Sequence, residues 1–105
     1  MKKSKVYLLK MVDDNTTLYK IGFTNHTIES RRKASQTGCP SEIKIVDFYE
    51  TEYASKIETT LHNIYKHKNT HGEWFLLDLE DEINFKAICE KYHNIQVLMN
   101  KPLGF

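Results

Sequence analysis

A chain of 105 residues, 40% hydrophobic and 28% charged, can form one modest core and is too apolar to stay disordered. It holds no run of 18 apolar residues, which excludes a helical membrane span, and its two cysteines, Cys39 and Cys89, lie too far apart for a CxxC metal site or a disulfide framework. The net charge is +1, but residues 1–45 carry nine Lys or Arg against four acids while residues 46–105 carry six against ten. That asymmetry fits either a nucleic-acid face on the N-terminal half or an ordinary scatter of solvated charge. The basic start Met1-Lys2-Lys3-Ser4 precedes an apolar run too short for a signal peptide, so a cytoplasmic location is expected.

In chain order, Val6-Tyr7-Leu8-Leu9 and Leu18-Tyr19-Lys20-Ile21-Gly22-Phe23 are β-rich runs split by the turn formers Asp13-Asp14-Asn15-Thr16. This pattern predicts a hairpin over residues 5–24. Side chains alternate between faces along a strand, so Tyr7 shares a face with Leu9, and Lys20 with Gly22 and Thr24. If those two faces coincide, a phenol and an ammonium sit beside a glycine that lets another group approach. Thr24-Asn25-His26-Thr27 offers N-cap residues for a helix that carries Arg31-Arg32-Lys33, runs to Gln36 and stops at Gly38-Cys39-Pro40. Ile43, Ile45 and Val46 among polar neighbours predict a third strand over residues 42–49, returned beside the hairpin by a right-handed crossover.

Ala54, Ile57, Leu61 and Ile64 recur at helical spacing and predict a helix over residues 52–68. Glu58, His62 and Tyr65 form the row beside that stripe, which puts Glu58 at the rim of the buried face, where a carboxylate can aim at a cleft. Lys66 to Gly72, with His67 and His71, reads as a polar loop, and Glu73 to Leu77 as a short strand with Trp74 and Phe75 as packing aromatics. Asp78 to Asp81 would cap a last helix over residues 80–92, with Ile83, Ala87, Ile88 and Tyr92 toward the core. Ile95 to Met99 reads as an edge strand and Lys101 to Phe105 as a tail in which Phe105 can dock. The expected fold class is α/β (α+β): a small, mostly antiparallel sheet of three to four strands flanked by helices.

These residues carry a resemblance to the GIY-YIG nuclease superfamily. Lys5-Val6-Tyr7 and Lys20-Ile21-Gly22 stand where its two motifs would be, and Arg31 where its helix arginine would be. Gln36-Thr37-Gly38-Cys39-Pro40, the run Ala54, Ile57, Glu58, Leu61, His62, and Gly72-Glu73-Trp74-Phe75 are similar to a small single-domain phage and bacterial branch. The resemblance covers residues 5–78 by order and spacing. It departs at Lys5, which replaces the first glycine, and at Lys20, which replaces the second tyrosine, although that branch commonly shows a lysine there. The resemblance implies one GIY-YIG-like nuclease domain over residues 1–105, with a core at 5–78 and a C-terminal helical extension at 79–105. It implies a metal-dependent endonuclease acting on DNA, with Tyr7 as base, Arg31 as phosphate clamp and Glu58 as metal ligand, and leaves the role of Lys20 open.

The chemistry of the residues agrees. Phosphodiester hydrolysis needs a base, a cation clamp on the phosphoryl group and help for the leaving oxygen. Tyr7, Lys20, Arg31, Glu58 and His62 can supply such a set, with Arg31, Arg32 and Lys33 as contacts to the nucleic-acid backbone. A carboxylate suits Mg²⁺ or Mn²⁺, and a guanidinium holds phosphate by paired donors. A tyrosine titrates near about 10, so Lys20 is expected to sit within a few ångströms and lower that value. Glu73 either adds a second metal ligand or supports its loop, and the loop role is favoured. The steps between His62, His67 and His71 do not match a zinc motif. The alternative function is a nucleic-acid-binding module on the same fold that does not cleave, and a third is an interaction protein whose basic face binds an acidic partner. Related catalytic domains borrow specificity from attached DNA-binding domains, so an oligomer or protein partner is a natural expectation.

Overall fold

The computed structural model describes residues 2–13 and 16–101. Strand β1 spans Ser4–Val12 and β2 spans Thr17–Thr24, paired antiparallel with Tyr7 opposite Gly22 and Leu9 opposite Lys20. Asp13 and Thr16 close the hairpin with reciprocal backbone hydrogen bonds of 2.8 and 3.3 Å. The Asp14-Asn15 part of the predicted turn lies outside the described residues, as do residues 102–105, including Phe105. Helix α1 follows at Ile28–Gln36, N-capped by the Thr27 side chain, which accepts from the Ser30 backbone N–H. Strand β3, Ile43–Thr51, returns antiparallel to β1 on the side away from β2. Helix α2 is Ala54–Ile64, and a 3₁₀ turn at Lys66–Lys68 leads into β4, Asn69–His71, and β5, Trp74–Phe75. Helix α3 runs from Leu79 to Met99.

The sheet therefore has five strands in the order β3-β1-β2-β5-β4, with every pairing antiparallel. The fold class expected from the sequence stands, with one correction: residues expected to be loop form β4, because the turn after them brings Asn69 and His71 back against β5. The predicted helix over 52–68 also ends earlier as α-helix, at Ile64, and tightens into the 3₁₀ turn.

Alternation along β1 and β2 builds two cores. One sheet face carries Val6, Leu8, Tyr19 and Ile21 and packs on Ile57 and Leu61 of α2 and Phe85 and Cys89 of α3. Each fully buried aliphatic or aromatic side chain there stabilises the fold by roughly 1.5–3 kcal/mol. The opposite face carries Tyr7 and Leu9 and packs on Ile28 of α1 and on Ile43. Both cysteines are free, and burial pushes the Cys89 thiol up to about 12.

The last helix corrects three expectations. Ile95 to Met99 continue α3 and form no edge strand. Extending an existing helix adds a hydrogen bond per residue without a new nucleation step, and this outweighs the β preference of Ile95 and Val97. Ile83 is 70% exposed and Ala87 is exposed too, while Phe85 and Cys89 point inward. A polar anchor sets this rotation: Glu82 Oε1 accepts from Tyr19 Oη at 2.7 Å and from Lys10 Nζ at 3.2 Å, so residues 82, 85 and 89 face the sheet together. Lys68 Nζ holds Asp81 Oδ2 at 2.7 Å, within an N-terminal capping box formed by Asp78 and Asp81. Asp81 and Glu82 thus clasp α3 to the sheet. No helix is long and apolar enough to cross a membrane among the described residues.

Candidate active site

The site is built around the pairing of Tyr7 with Gly22. The two residues face each other across β1 and β2, so the Tyr7 ring crosses directly over Gly22. A Cβ at position 22 would overlap the Tyr7 hydroxyl and stand 2.5 Å from Tyr7 Cζ and 2.9 Å from Glu73 Oε1. Glycine is required here for close approach. Tyr7 itself is 1% exposed, its ring wedged among Leu9, Ile28 and Ile43.

Helix α1 supplies the cation. The Arg31 guanidinium lies near the Tyr7 hydroxyl and favours its phenolate. Its Nε is buried and has no hydrogen-bond partner among the described residues, a donor that an incoming oxyanion would satisfy. Arg32 turns the other way. Its Nη2 and Nε donate to Glu29 Oε1 at 2.6 and 3.0 Å, and its Nη1 reaches the Ile43 carbonyl at 3.4 Å. Arg32 is thereby committed to its own helix and to β3. Lys33 is exposed.

Helix α2 and the turn after β4 supply the anions. Glu58 and His62 sit one helical turn apart, and Gly72, at φ +54, reverses the chain so that Glu73 folds back toward β2. One donor atom from each of Glu58, His62 and Glu73 lies within 4.8 Å of the other two. The backbone of Ile21 organises two of them. Its N–H donates to the Glu73 carbonyl at 3.2 Å, and its carbonyl lies 2.8 Å from His62 Nε2. A carbonyl can only accept, so Nε2 is the donor in this contact. Phe75 braces the imidazole edge-on, with ring centroids 4.8 Å apart.

Electrostatics follow from this crowding. Burial raises the Tyr7 pKa above the usual tyrosine range; the neighbouring Arg31 guanidinium opposes the shift, and the Glu73 and Glu58 carboxylates reinforce it. Burial likewise raises the Glu58 pKa, partly offset by His62 and reinforced by Glu73. Two carboxylates and one guanidinium surround the Tyr7 phenol, a balance that favours an added cation. The donor set, two carboxylates and an imidazole whose other nitrogen is already hydrogen-bonded, fits a divalent ion.

The structure thus brings Tyr7, Arg31, Glu58 and His62 together and adds Glu73. Lys20 shares their sheet face but stands two residue pairs further along, opposite Leu9 and Trp74. Its Nζ donates to Ser35 Oγ at 3.0 Å and lies 5.9 Å from the Trp74 ring centroid. The cation beside the Tyr7 hydroxyl is Arg31, and the Tyr7 pKa rises where a neighbouring lysine was expected to lower it. Glu73, for which loop support was expected, presents its carboxylate to the site. The signal for it in the sequence was its place directly after Gly72, a turn residue able to aim the next side chain backward. Of His62, His67 and His71, only His62 joins a metal-competent group among the described residues.

No curated protein and no solved structure matches the chain. Residues 4–90 match the T5orf172 domain, a span that includes both strands of the hairpin, α1, α2 and every residue of the site. The chain belongs to the T5orf172 domain family.

Proposed function

We propose that this protein is a metal-dependent endonuclease that hydrolyses DNA phosphodiester bonds by GIY-YIG-type chemistry. The T5orf172 domain is phage-associated and related to nuclease-like folds. The observation that carries the reading is the gathering of a buried phenol crossing a glycine, an arginine with an unsatisfied donor and a carboxylate pair. Arg31 holds a non-bridging phosphate oxygen, using the donors that the native contacts leave free. Tyr7, as phenolate, takes one proton from the attacking water while the water oxygen bonds to phosphorus. The bond from phosphorus to the departing sugar oxygen breaks, and solvent protonates that oxygen. Glu58 is the ligand for Mg²⁺ or Mn²⁺, which when bound neutralises charge on the phosphoryl group and the leaving oxygen. His62 holds its ring against Ile21 and steadies the carboxylates beside it. Lys20, fixed by Ser35, presents positive charge to the backbone next to the scissile phosphate.

The deciding experiment is plasmid nicking by the purified protein with Mg²⁺ or Mn²⁺, with EDTA, and with Glu58→Ala. Nicking that requires the metal and Glu58 supports the reading. Tight DNA binding without nicking under all conditions points to the second reading, a binding module. The buried, proton-retaining Tyr7 favours that second reading, since at neutral pH its phenolate is scarce.

The Tyr7 environment also sets an expected pH profile. Its pKa lies above the ordinary tyrosine range, so throughout pH 6.5 to 9 the phenolate fraction grows about tenfold per pH unit. Single-turnover nicking should climb with that slope, and Tyr7→Phe should be slow and lack the slope. A rate already level above pH 7 would remove Tyr7 from the role of base.

Arg31→Lys should lower nicking by about tenfold to a hundredfold, because a point ammonium cannot both hold the Tyr7 hydroxyl and bridge a phosphate. Arg32→Lys should cost far less, since Arg32 is tied to Glu29 and Ile43. The check is nicking rate and DNA affinity of both variants at two salt concentrations. A larger loss from Arg32→Lys would put the clamp at position 32.

A further inference from the structure

The geometry points to a metal centre with three protein ligands, Glu58 and Glu73 through carboxylate oxygens and His62 through Nδ1, that prefers nitrogen-accepting first-row divalent ions over Mg²⁺. This deepens the reading above, which needs Glu58 alone as ligand. It changes both the ligand count and the class of metal.

Three structural features support this centre. The first is the state of His62. Nε2 donates to the Ile21 carbonyl at 2.8 Å, which leaves Nδ1 as the ring nitrogen available to a metal. A ligating histidine in metal sites typically donates its other nitrogen to a carbonyl or carboxylate in this way, which fixes the tautomer and raises the basicity of the ligating atom.

The second is the placement of Glu73. Its backbone is anchored to the same Ile21, by the 3.2 Å hydrogen bond from the Ile21 N–H. Its Oε1 extends over the bare Cα of Gly22, within 2.9 Å of where a Cβ would stand. One residue of β2 thus orients two of the three donors, and the next residue clears the space they need. A glutamate that merely supported its loop would not require that clearance.

The third is spacing. A carboxylate oxygen from each glutamate and one ring nitrogen of His62 lie within 4.8 Å of one another. A six-coordinate ion with bonds of about 2.1 Å keeps adjacent donors about 3 Å apart and opposite donors about 4.2 Å apart. The contraction required is at most an ångström or two, within reach of glutamate torsions on a fixed backbone. Three ligands leave coordination positions open for water and a phosphate oxygen.

Metal class follows from the donors. Mg²⁺ takes oxygen ligands in near-ideal octahedral geometry and keeps several waters, and Ca²⁺ takes six to eight oxygens at longer distances. An imidazole nitrogen shifts preference toward Mn²⁺ and the ions that follow it in the Irving–Williams order.

The test uses the intact protein without DNA and Mn²⁺ as the probe. Free Mn²⁺ is followed by its electron paramagnetic resonance signal during titration, and Mg²⁺ is then added as competitor. One equivalent should bind, at least tenfold more tightly than Mg²⁺, and pulsed spectra of the bound ion should show coupling to a nitrogen nucleus. Glu73→Gln should weaken Mn²⁺ binding at least tenfold while its melting temperature in EDTA matches the wild type. Absence of nitrogen coupling in the wild type, equal affinity for Mg²⁺, or unchanged Mn²⁺ binding in Glu73→Gln would each overturn the inference. Nicking measured in parallel separates the two readings. Nicking with Mn²⁺ affinity indifferent to Glu73 overturns the three-ligand centre and leaves the nuclease standing. Nitrogen-coupled, Glu73-dependent Mn²⁺ without nicking supports the centre and sinks the nuclease.

Discussion

Glu58→Gln is expected to lower DNA nicking by a factor on the order of 10³ and to leave the protein folded and no less stable to heat. The first half follows from the loss of a charged ligand at the point where the phosphoryl charge must be neutralised, an electrostatic contribution of that order in comparable sites. The second half follows from burial. Burial raises the Glu58 pKa, so folding favours its protonated form. That contribution to stability is fully present below the ordinary carboxylate range and is lost as pH rises through the raised value. At pH 7 without metal the ionised carboxylate is therefore a cost to the fold, and a neutral glutamine of the same shape removes it. Thermal unfolding in EDTA at pH 7 checks the stability, and single-turnover nicking checks the activity. A variant with full activity would remove Glu58 from the metal site. A variant that melts well below the wild type would show that the carboxylate holds the structure together, which its position beside the apolar stripe of α2 does not require.

Gly22→Ala is expected to be nearly as damaging, with a loss of about a hundredfold or more in nicking and a fall in stability of about 1–3 kcal/mol, the usual cost of overpacking. The new methyl would overlap the Tyr7 hydroxyl and crowd Glu73 Oε1 at 2.9 Å. Tyr7 cannot step aside, because its ring is enclosed by Leu9, Ile28 and Ile43 and capped by Arg31. The Tyr7 phenol and a carboxylate of the site are thus displaced together. Combining Gly22→Ala with Tyr7→Phe separates the two effects. Removing the hydroxyl relieves the worst overlap, so stability should recover by more than additivity allows while activity stays low. If Gly22→Ala alone kept wild-type activity and stability, the close crossing of Tyr7 over Gly22 would not exist in solution.

Local chemistry was enough to place most of the secondary structure. The β-rich runs around Tyr7 and Ile21, the cap at Thr27 and the stripe Ala54, Ile57, Leu61 each depend on contacts within a few residues, and they appear as β1, β2, α1 and α2. The period-two rule also put Tyr7, Lys20 and Gly22 on one face, where the register β1–β2 has them. At the C-terminus local preference failed. The apolar residues of 83–92 permit more than one helical face, and the rotation was chosen by Glu82 meeting Lys10 and Tyr19, more than sixty residues away in sequence.

The candidate site divides along the same line. Arg31, Glu58 and His62 could be named from order, spacing and resemblance, because each lies on a regular element whose face the sequence predicts. By itself the sequence determined which residues can carry the chemistry. Which of them meet was decided only by tertiary structure. Whether Tyr7 crosses Gly22 or reaches Lys20 depends on a strand register offset of two residues. Whether Arg31 or Arg32 reaches the phenol depends on how α1 lies across the sheet, with Arg32 drawn off by Glu29 and Ile43. Glu73 joins the site because Gly72 turns the chain and the open edge of β2 at Ile21 offers an N–H to one element and a carbonyl to another. The physical reason is that a hydrogen bond or a charge contact is decided within an ångström, between groups brought together by elements far apart in the chain, and no periodicity within one element encodes that distance.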